Sequence, residues 1–204
     1  DAGIASRTDG FWASDTTDAI DRLRVQRAAS FVMPTERLGC HIGPSPNPMT
    51  GREISMEFRV LAALFGHMGI EANPAHFNDN DKAILMRGLE IYKAHRDWMG
   101  DGQLLNLSEP GDDPDLQMLV SAGGDQALLR IMRVNTPVRP LQPRIRLAGL
   151  DQQSHYELVE LALRGDPMVW PLGNFMGRGL MHDGLVLDSA RALTGRLIHL
   201  RKTE

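Results

Sequence analysis

The sequence predicts a chain of two parts, an α/β unit with parallel strands followed by an all-β domain with antiparallel strands. In the first hundred residues, helical segments alternate with short apolar segments of strand length. After Gly102, apolar segments of strand length follow one another, and the sequence no longer has long stretches with helical periodicity. The intervening Gly100-Asp101-Gly102 is typical of a turn. We therefore expect domains at residues 1–102 and 103–204.

Three helices are predicted in the first part. The segment 18–29 has acidic residues in its first turn and arginines later, as the helix dipole favours. The segment 57–68 has a wide apolar stripe, and Gly69 follows it as a stop signal. The segment 78–99 begins with Asn78, a favoured capping residue, and ends before a glycine.

Short apolar, β-prone segments lie between these helices, namely Gly10–Ser14, Ser30–Met33, Cys40–Gly43 and Gly69–Ala72. A strand–helix–strand–helix order predicts βα units and a parallel sheet. The segment 39–52 is rich in proline and glycine and must form a loop. Because this loop is long for a plain connection, it is a candidate functional loop.

The second part has runs of strand length at Leu116–Val120, Ala127–Val134, Arg144–Leu147, Tyr156–Leu161, Leu185–Leu187 and Arg196–Leu200. Gly123-Gly124-Asp125 between the first two runs predicts a hairpin turn. The glycine-rich segment 173–179 lacks a phosphate-binding GK[ST] pattern and is interpreted as a loop. These features predict a small antiparallel β-sandwich.

Composition excludes several classes of protein. The 204 residues include 22 Lys and Arg against 26 Asp and Glu, a net charge of -4, which argues against a general nucleic-acid binder. The longest apolar stretch, 60–65, is too short to span a bilayer. The single cysteine, Cys40, excludes an internal disulfide and is interpreted as a partly buried loop residue rather than a nucleophile. No histidines have a ligand spacing such as HExxH, so we expect neither a metal nor a cofactor.

Asp15 is the main candidate for chemistry, because it stands where an apparent strand ends and a helix begins. Catalytic side chains cluster at that end of parallel strands. Asp15 would then act as a general acid/base, with Trp12 as a platform for a sugar. The alternative is structural, with Ser14, Asp15 or Thr17 capping the following helix. The spacing alone leaves both interpretations open.

The segment WASDTTDAIDRLRVQ at residues 12–26 closely resembles the W-x-S-D-x-x-D-x-x-x-R-L-x-x-Q segment of the bacterial α-galactosidases of glycoside hydrolase family 36. The similarity continues through GCHIGPSPN (39–47), TGR (50–52), Phe58-Arg59 and LFGHMG (64–69). It extends more weakly through Tyr92-Lys93 and Arg96 into the second part.

The resemblance implies the C-terminal half of a (β/α)8 TIM barrel followed by a C-terminal β-sandwich. The piece before Asp15 would lead into the sixth barrel strand, 30–43 would supply the seventh and 69–72 the eighth. The segment 78–99 would be the closing helix.

The resemblance also implies a mechanism and a set of site residues. The family hydrolyses terminal α-1,6-galactosides of the raffinose and melibiose type with retention of configuration. Its acid/base corresponds to Asp15, and Trp12 and Ser14 are expected to bind substrate. The family's K-W-D-x-N motif, which carries the nucleophile, and its C-x-S-G-G-G-R segment do not occur in these 204 residues. We therefore expect both to lie upstream of Asp1, and the chain alone to be incomplete and inactive.

Two alternatives stay open. In the first alternative, the chain is a non-catalytic carbohydrate-binding or assembly module. In the second, it is part of an enzyme of the same family that transfers galactose to a sugar acceptor rather than to water. For the enzyme, the resemblance implies a cytoplasmic homo-oligomer that acts on an α-galactoside oligosaccharide, with no nucleic-acid or membrane partner.

Overall fold

A computed structural model of the chain describes residues 7–136, 144–187 and 191–203, in two compact units divided between Gly100 and Asp101. The α-helices of the described residues are α1 (Ala19–Ala29), α2 (Met56–Ala63), α3 (Asp79–Met99) and α4 (Gly177–His182). The strands are β1 (Gly39–Ile42), β2 (His67–Ile70), β3 (Gln103–Asn106), β4 (Asp115–Val120), β5 (Gln126–Arg133), β6 (His155–Leu161), β7 (Val169–Met176) and β8 (Thr194–Thr203). No helix in these ranges has the length and apolar character needed to cross a membrane.

The strands of the first unit are parallel, as the alternation of strands and helices predicts. β1 pairs with β2 in parallel. The predicted strand at 10–14 is reduced to one parallel bridge between Phe11 and Leu38. In β1, Cys40 and Ile42 are buried, whereas the intervening His41 is only partly covered. Three neighbouring chain segments therefore run in the same direction, with one face of β1 packed into the unit.

The helices of the first unit begin at side-chain caps. Asp18 Oδ1 accepts from the N–H groups of Ile20 and Asp21 at the start of α1. Ser55 caps α2 and Asn78 caps α3 in the same way. The predicted first and third helices are confirmed to within a residue.

The predicted second helix is too long, because α2 ends at Ala63 rather than Met68. The chain passes tightly against β1 at Gly66, where an added Cβ would lie 2.6 Å from Cys40 Sγ and 2.6 Å from the carbonyl oxygen of Leu38. The residues after this contact pair with β1 as β2. Tertiary packing at a glycine thus overrides the apolar helical pattern.

The predicted strand Ser30–Met33 is wrong. The N–H groups of Ser30 and Met33 bond to carbonyl groups of the last turn of α1, so the chain continues as a turn. Phe31 and Val32 are 62% and 78% exposed. An apolar run of four residues carries no information on its own about whether it is buried.

The strands of the second unit form one six-stranded antiparallel sheet in the order β3-β4-β5-β8-β6-β7. Four of the predicted runs correspond to β4, β5, β6 and β8, and Gly124 has the positive φ of 66° expected at the predicted hairpin turn. The antiparallel β domain is therefore confirmed, while its description as a two-sheet sandwich stays a prediction.

Three details of the second half are wrong. The runs at 144–147 and 185–187 are not strands, although Ile145 and Leu185 form an antiparallel bridge. The predicted loop 173–179 is the end of β7 and the start of α4. β3 and β7, the two edge strands of the sheet, are missed, and β7 in addition is largely exposed and has no apolar alternation.

One side chain network connects α1 to the loop that follows β1. Thr50 Oγ1 donates to Asp18 Oδ2 at 2.5 Å, and Arg52 Nη1 donates to Asp18 Oδ1 at 3.0 Å. Burial alone would raise the pKa of Asp18, but the Thr50 hydroxyl, the backbone N–H groups of α1 and Arg52 outweigh it and leave that pKa below its usual value. The ionised carboxylate therefore stabilises the folded unit.

We predict that Asp18→Asn lowers stability in a pH-dependent way. A carboxyl whose pKa is lowered on folding contributes stability above its unfolded pKa of about 3.9, and loses it as the pH falls through the folded value. The loss relative to wild type, measured by urea unfolding, should be about 1 kcal/mol near pH 7 and smaller near pH 3. Asp79→Asn, at an exposed position in the first turn of α3, is the control. An equal loss at both pH values would contradict the ionic role.

Tyr156 connects β6 to the β4–β5 turn. Its hydroxyl donates to the carbonyl oxygen of Gly124 at 2.9 Å and accepts from the N–H of Asp151 at 2.9 Å, and the residue is fully buried. Removal of the hydroxyl would leave two backbone groups without this partner, which costs more than a typical hydrogen bond contributes.

We predict that Tyr156→Phe lowers the free energy of unfolding by about 1–3 kcal/mol. Tyr92→Phe, at a half-buried position in α3, is the matched control and should change stability by less than about 0.5 kcal/mol. Denaturant unfolding of both variants measures the difference. Equal effects would show that the hydroxyl of Tyr156 has no special role.

Candidate functional site

Asp15 lies between the parallel bridge at Phe11 and the start of α1, and its side chain is exposed. Asp15 Oδ1 accepts a hydrogen bond of 3.0 Å from Trp12 Nε1. The cap of α1 is Asp18, so the alternative in which Ser14, Asp15 or Thr17 caps this helix is wrong. Ser14 Oγ accepts from the N–H of Thr16 at 3.2 Å within the turn itself. The carboxylate of Asp15 is thus not used to begin the helix.

Trp12 lies across the neighbouring strand β1. A Cβ added to Gly39 would stand 2.9 Å from Trp12 Cε3, so the indole needs a glycine at that position. The indole also packs against the ring of His41, with centroids 4.2 Å apart and an interplanar angle of 46°. Because Gly39 has no side chain, the Trp12 indole can lie over β1 and contact His41.

The same arrangement recurs one strand further. The His41 ring lies over Gly69 of β2, where a Cβ would be 2.7 Å from His41 Cδ2. His41 Nδ1 is 3.4 Å from Glu71 Oε2, and these two side chains are 35% and 42% exposed. Trp12, His41 and Glu71 therefore form a continuous row across three chain segments, which we call the Trp12 row.

Arg22 of α1 supports this row from the buried side. The residue is 1% exposed, and its Nη1 and Nη2 donate to the carbonyl oxygens of Ser14 and Gly39, both at 2.8 Å. Its Cζ lies 4.4 Å from the centroid of the Trp12 ring. Burial lowers the pKa of Arg22, and Cys40 and Glu71 act in the opposite direction. The guanidinium stays charged, because the usual pKa of arginine is far above 7.

The loop after β1 is attached next to Asp15. Asn47 is 3% exposed, and its Nδ2 donates to Thr17 Oγ1 at 2.8 Å. Its Oδ1 accepts from the N–H groups of Met49 and Thr50, which shapes the loop tip. Met49 is 76% exposed at this tip. The predicted functional loop is therefore held by hydrogen bonds close to the candidate acid/base.

The sequence alone predicts Trp12, Ser14 and Asp15 as site residues, but it does not single out Glu71 or the contacts of Arg22. One signal was available for Glu71, namely the repeated spacing of a glycine and a polar residue two positions later at Gly39/His41 and Gly69/Glu71. In neighbouring parallel strands, this spacing places large side chains over glycines. The buried contacts of Arg22 have no comparable signal.

Two of the remaining candidates, Cys40 and His95, have structural surroundings. Cys40 lies within β1 rather than in the predicted loop. Its side chain is buried, which does not give the thiol the exposure that a nucleophile needs. His95 is buried in α3, and its Nδ1 is 2.8 Å from the carbonyl oxygen of Ile91. In the part of the chain that the structure describes, no three His, Cys, Asp or Glu side chains come together in an arrangement suited to a metal ion.

Two family models match the chain, and together they cover most of it. The Melibiase model matches residues 1–102, and the model of the glycosyl hydrolase family 36 C-terminal domain matches residues 115–200. The first match contains the Trp12 row, Arg22 and Asp15, and the second contains most of the antiparallel sheet.

Curated proteins and solved structures agree with these matches. The bifunctional α-galactosidase/sucrose kinase AgaSK of Mediterraneibacter gnavus is 33% identical over 92% of this chain, which covers 19% of that protein. An α-galactosidase of Escherichia coli is 35% identical over 78% of the chain, or 22% of that protein. A crystal structure of a variant of the α-galactosidase AgaA from Geobacillus stearothermophilus in complex with raffinose aligns with all of this chain and 27% of its own, with 27% identity and a TM-score of 0.88.

The chain thus spans about a fifth of the length of the curated relatives that it matches. The family model over the parallel-strand unit, the second over the antiparallel sheet and the structural similarity over the full chain all lead to one assignment. The chain belongs to the melibiase family, glycoside hydrolase family 36.

Proposed function

We propose that the protein containing this chain is a retaining α-galactosidase that hydrolyses terminal α-1,6-galactosides of the raffinose and melibiose type. Asp15 is its general acid/base. The observation that carries this proposal is the exposed carboxylate of Asp15, held by Trp12 Nε1 at the end of a parallel strand and not used as the helix cap. Family membership supplies the reaction class.

The chemistry of the reaction suits this position. In retaining hydrolysis, one carboxylate attacks the anomeric carbon while a carboxylic acid about 5–5.5 Å away protonates the leaving oxygen. The same residue then removes a proton from the attacking water. The bond from Trp12 Nε1 holds Asp15 Oδ1, which leaves Oδ2 to carry the transferred proton. Under this proposal, Oδ1 is held by Trp12 and Oδ2 gives the proton to the leaving oxygen.

The nucleophile comes from outside these 204 residues under this proposal. The sequence has no K-W-D-x-N or C-x-S-G-G-G-R motif, and it spans about a fifth of the length of its relatives. A two-step displacement needs both carboxylates, so we expect the isolated chain to be inactive.

Substrate binding is assigned to the surroundings of Asp15. We assign the part of the half-buried Trp12 indole that Arg22 and His41 leave uncovered to contact with the apolar face of a sugar ring. The Ser14 hydroxyl accepts from the N–H of Thr16 and keeps its own hydrogen to donate to a sugar hydroxyl. The complex of the relative AgaA with raffinose supports this substrate class.

The finer fold assignment belongs to the same proposal. We assign the parallel segments at Phe11, β1 and β2 to the sixth, seventh and eighth strands of a (β/α)8 barrel, with α3 as the closing helix. The TM-score of 0.88 with AgaA supports this assignment. The antiparallel sheet and the Ile145–Leu185 bridge are assigned to a β-sandwich. The cytoplasmic location and homo-oligomeric state expected of the enzyme are likewise proposed.

We predict that Asp15→Asn, in the longest gene product that contains this chain, lowers kcat/KM for raffinose by about 10²–10⁴-fold. The loss should be smaller with p-nitrophenyl α-galactoside, whose leaving group needs little protonation, and azide should restore part of the turnover. Asp79→Asn, which is exposed at the start of α3, is the matched control. Unchanged turnover of raffinose by the Asp15→Asn variant would refute the assignment.

A second candidate function, transfer of galactose to a sugar acceptor, is favoured by one observation. The loop tip at Met49 is exposed, and Asn47 attaches the loop to Thr17, two residues after Asp15. A fixed surface beside the acid/base is where an acceptor sugar would bind.

For a transferase, added sucrose or galactose should increase the yield of new oligosaccharides from raffinose, and Asn47→Ala should reduce that yield more than it reduces hydrolysis. For a hydrolase, free galactose stays the main product at every acceptor concentration. Product analysis by chromatography, with and without acceptor, separates the two functions. Binding of raffinose without any turnover would instead favour a carbohydrate-binding module.

A further inference from the structure

Arg22 is buried at a cost that its local contacts do not explain. Removal of a guanidinium from water is unfavourable unless its charge and its donors are satisfied. Its Nη1 and Nη2 bind backbone carbonyl groups rather than a carboxylate. Its Nε is buried without a hydrogen-bond partner among the described residues, as is the Nε of Arg59, so what distinguishes Arg22 is the set of groups that it contacts. Such a group is retained for what it holds in place rather than for the stability of an ion pair.

The groups that Arg22 holds all belong to the surroundings of Asp15. The first carbonyl is that of Ser14, the residue directly before Asp15. The second is that of Gly39, the residue over which the Trp12 ring lies. The third contact is the face of the Trp12 ring, 4.4 Å from Cζ. One rigid planar cation thus contacts the ring and the two chain segments that define its position.

We propose that Arg22 is a positioning residue for Asp15 and acts through Trp12. This inference rests on the proposed role of Asp15 as acid/base. The guanidinium holds the indole so that Nε1 donates to Asp15 Oδ1, and the carboxyl group is thereby oriented toward the leaving oxygen. Arg22 does not touch the substrate or the transferred proton.

The residue type fits this role for two reasons. A guanidinium presents its donors in a fixed plane and stacks on an aromatic face, whereas the single ammonium of lysine cannot bind two separated carbonyls and cover a ring at the same time. A cation against the indole face also interacts favourably with the π electrons of the ring.

The test compares wild type, Arg22→Lys, Trp12→Phe and the double variant in the longest gene product that contains this chain. We expect each single variant to lower kcat for raffinose by about tenfold, because proton donation is impaired. Arg22 does not touch the substrate, so Arg22→Lys should change KM by less than about twofold, whereas Trp12→Phe also alters a proposed sugar contact and is expected to raise KM as well. Turnover of p-nitrophenyl α-galactoside should fall much less. The double variant should be no slower than the slower single variant, because both changes interrupt one chain of contacts.

Arg59→Lys is the matched control. Arg59 of α2 is 4% exposed, and its Nη1 donates to the carbonyl oxygen of Gly43 at 2.8 Å. Its guanidinium faces Phe77 rather than Trp12. Any loss caused by this variant should be equal for both substrates, as expected when a buried arginine matters only for folding.

The outcomes separate this inference from the proposed function. If Asp15→Asn itself shows no dependence on the leaving group, the proposed function fails. The inference about Arg22 is overturned if Asp15→Asn shows that dependence but Arg22→Lys lowers the turnover of both substrates equally. It is also overturned if the fold-loss of the double variant equals the product of the fold-losses of the two single variants. If Arg22→Lys does not fold, Trp12→Phe decides the question, because full raffinose activity without the Nε1 donor overturns the inference.

Discussion

The candidate site depends on the bonds from Arg22 to the carbonyl groups of Ser14 and Gly39. These two bonds of 2.8 Å connect α1 to the turn that carries Asp15 and to β1, next to the point where the Trp12 ring lies over β1. The turn that carries Asp15 is therefore fixed by the same helix that it precedes. Burial of the charged guanidinium costs desolvation free energy, while its contacts fix the position of the indole and of the carboxylate that the indole binds.

A second constraint is the placement of small residues opposite large ones. Gly39 lies under Trp12 and Gly69 lies under His41, so each ring extends over the adjacent strand. A side chain at either glycine would clash with the ring above it and displace that ring. The order of polar and aromatic groups in the Trp12 row is thus set by where the strands have no side chain.

Much of this arrangement could be predicted from sequence, because it follows from local rules. The charge pattern along the helix located α1, the Asn78 cap and the helical pattern located α3, and the strand alternation predicted the parallel pairing of β1 and β2. The errors arise where tertiary contacts override local preference. The contact of Gly66 with β1 ends α2 early, and the apolar run at 30–33 is an exposed turn. For the site, the motif around Asp15 could be identified, but the contacts of Arg22 depend on packing across two strands.

The central claim is that Asp15 acts as the acid/base of a double displacement. The most direct test is the configuration of the galactosyl azide that the Asp15→Asn variant forms from p-nitrophenyl α-galactoside in the presence of azide. If Asp15 is the acid/base, azide replaces water in the second step and attacks the covalent intermediate, so the product has the α configuration of the substrate. A β-galactosyl azide would identify Asp15 as the nucleophile instead, and undiminished hydrolysis without azide would remove Asp15 from the mechanism.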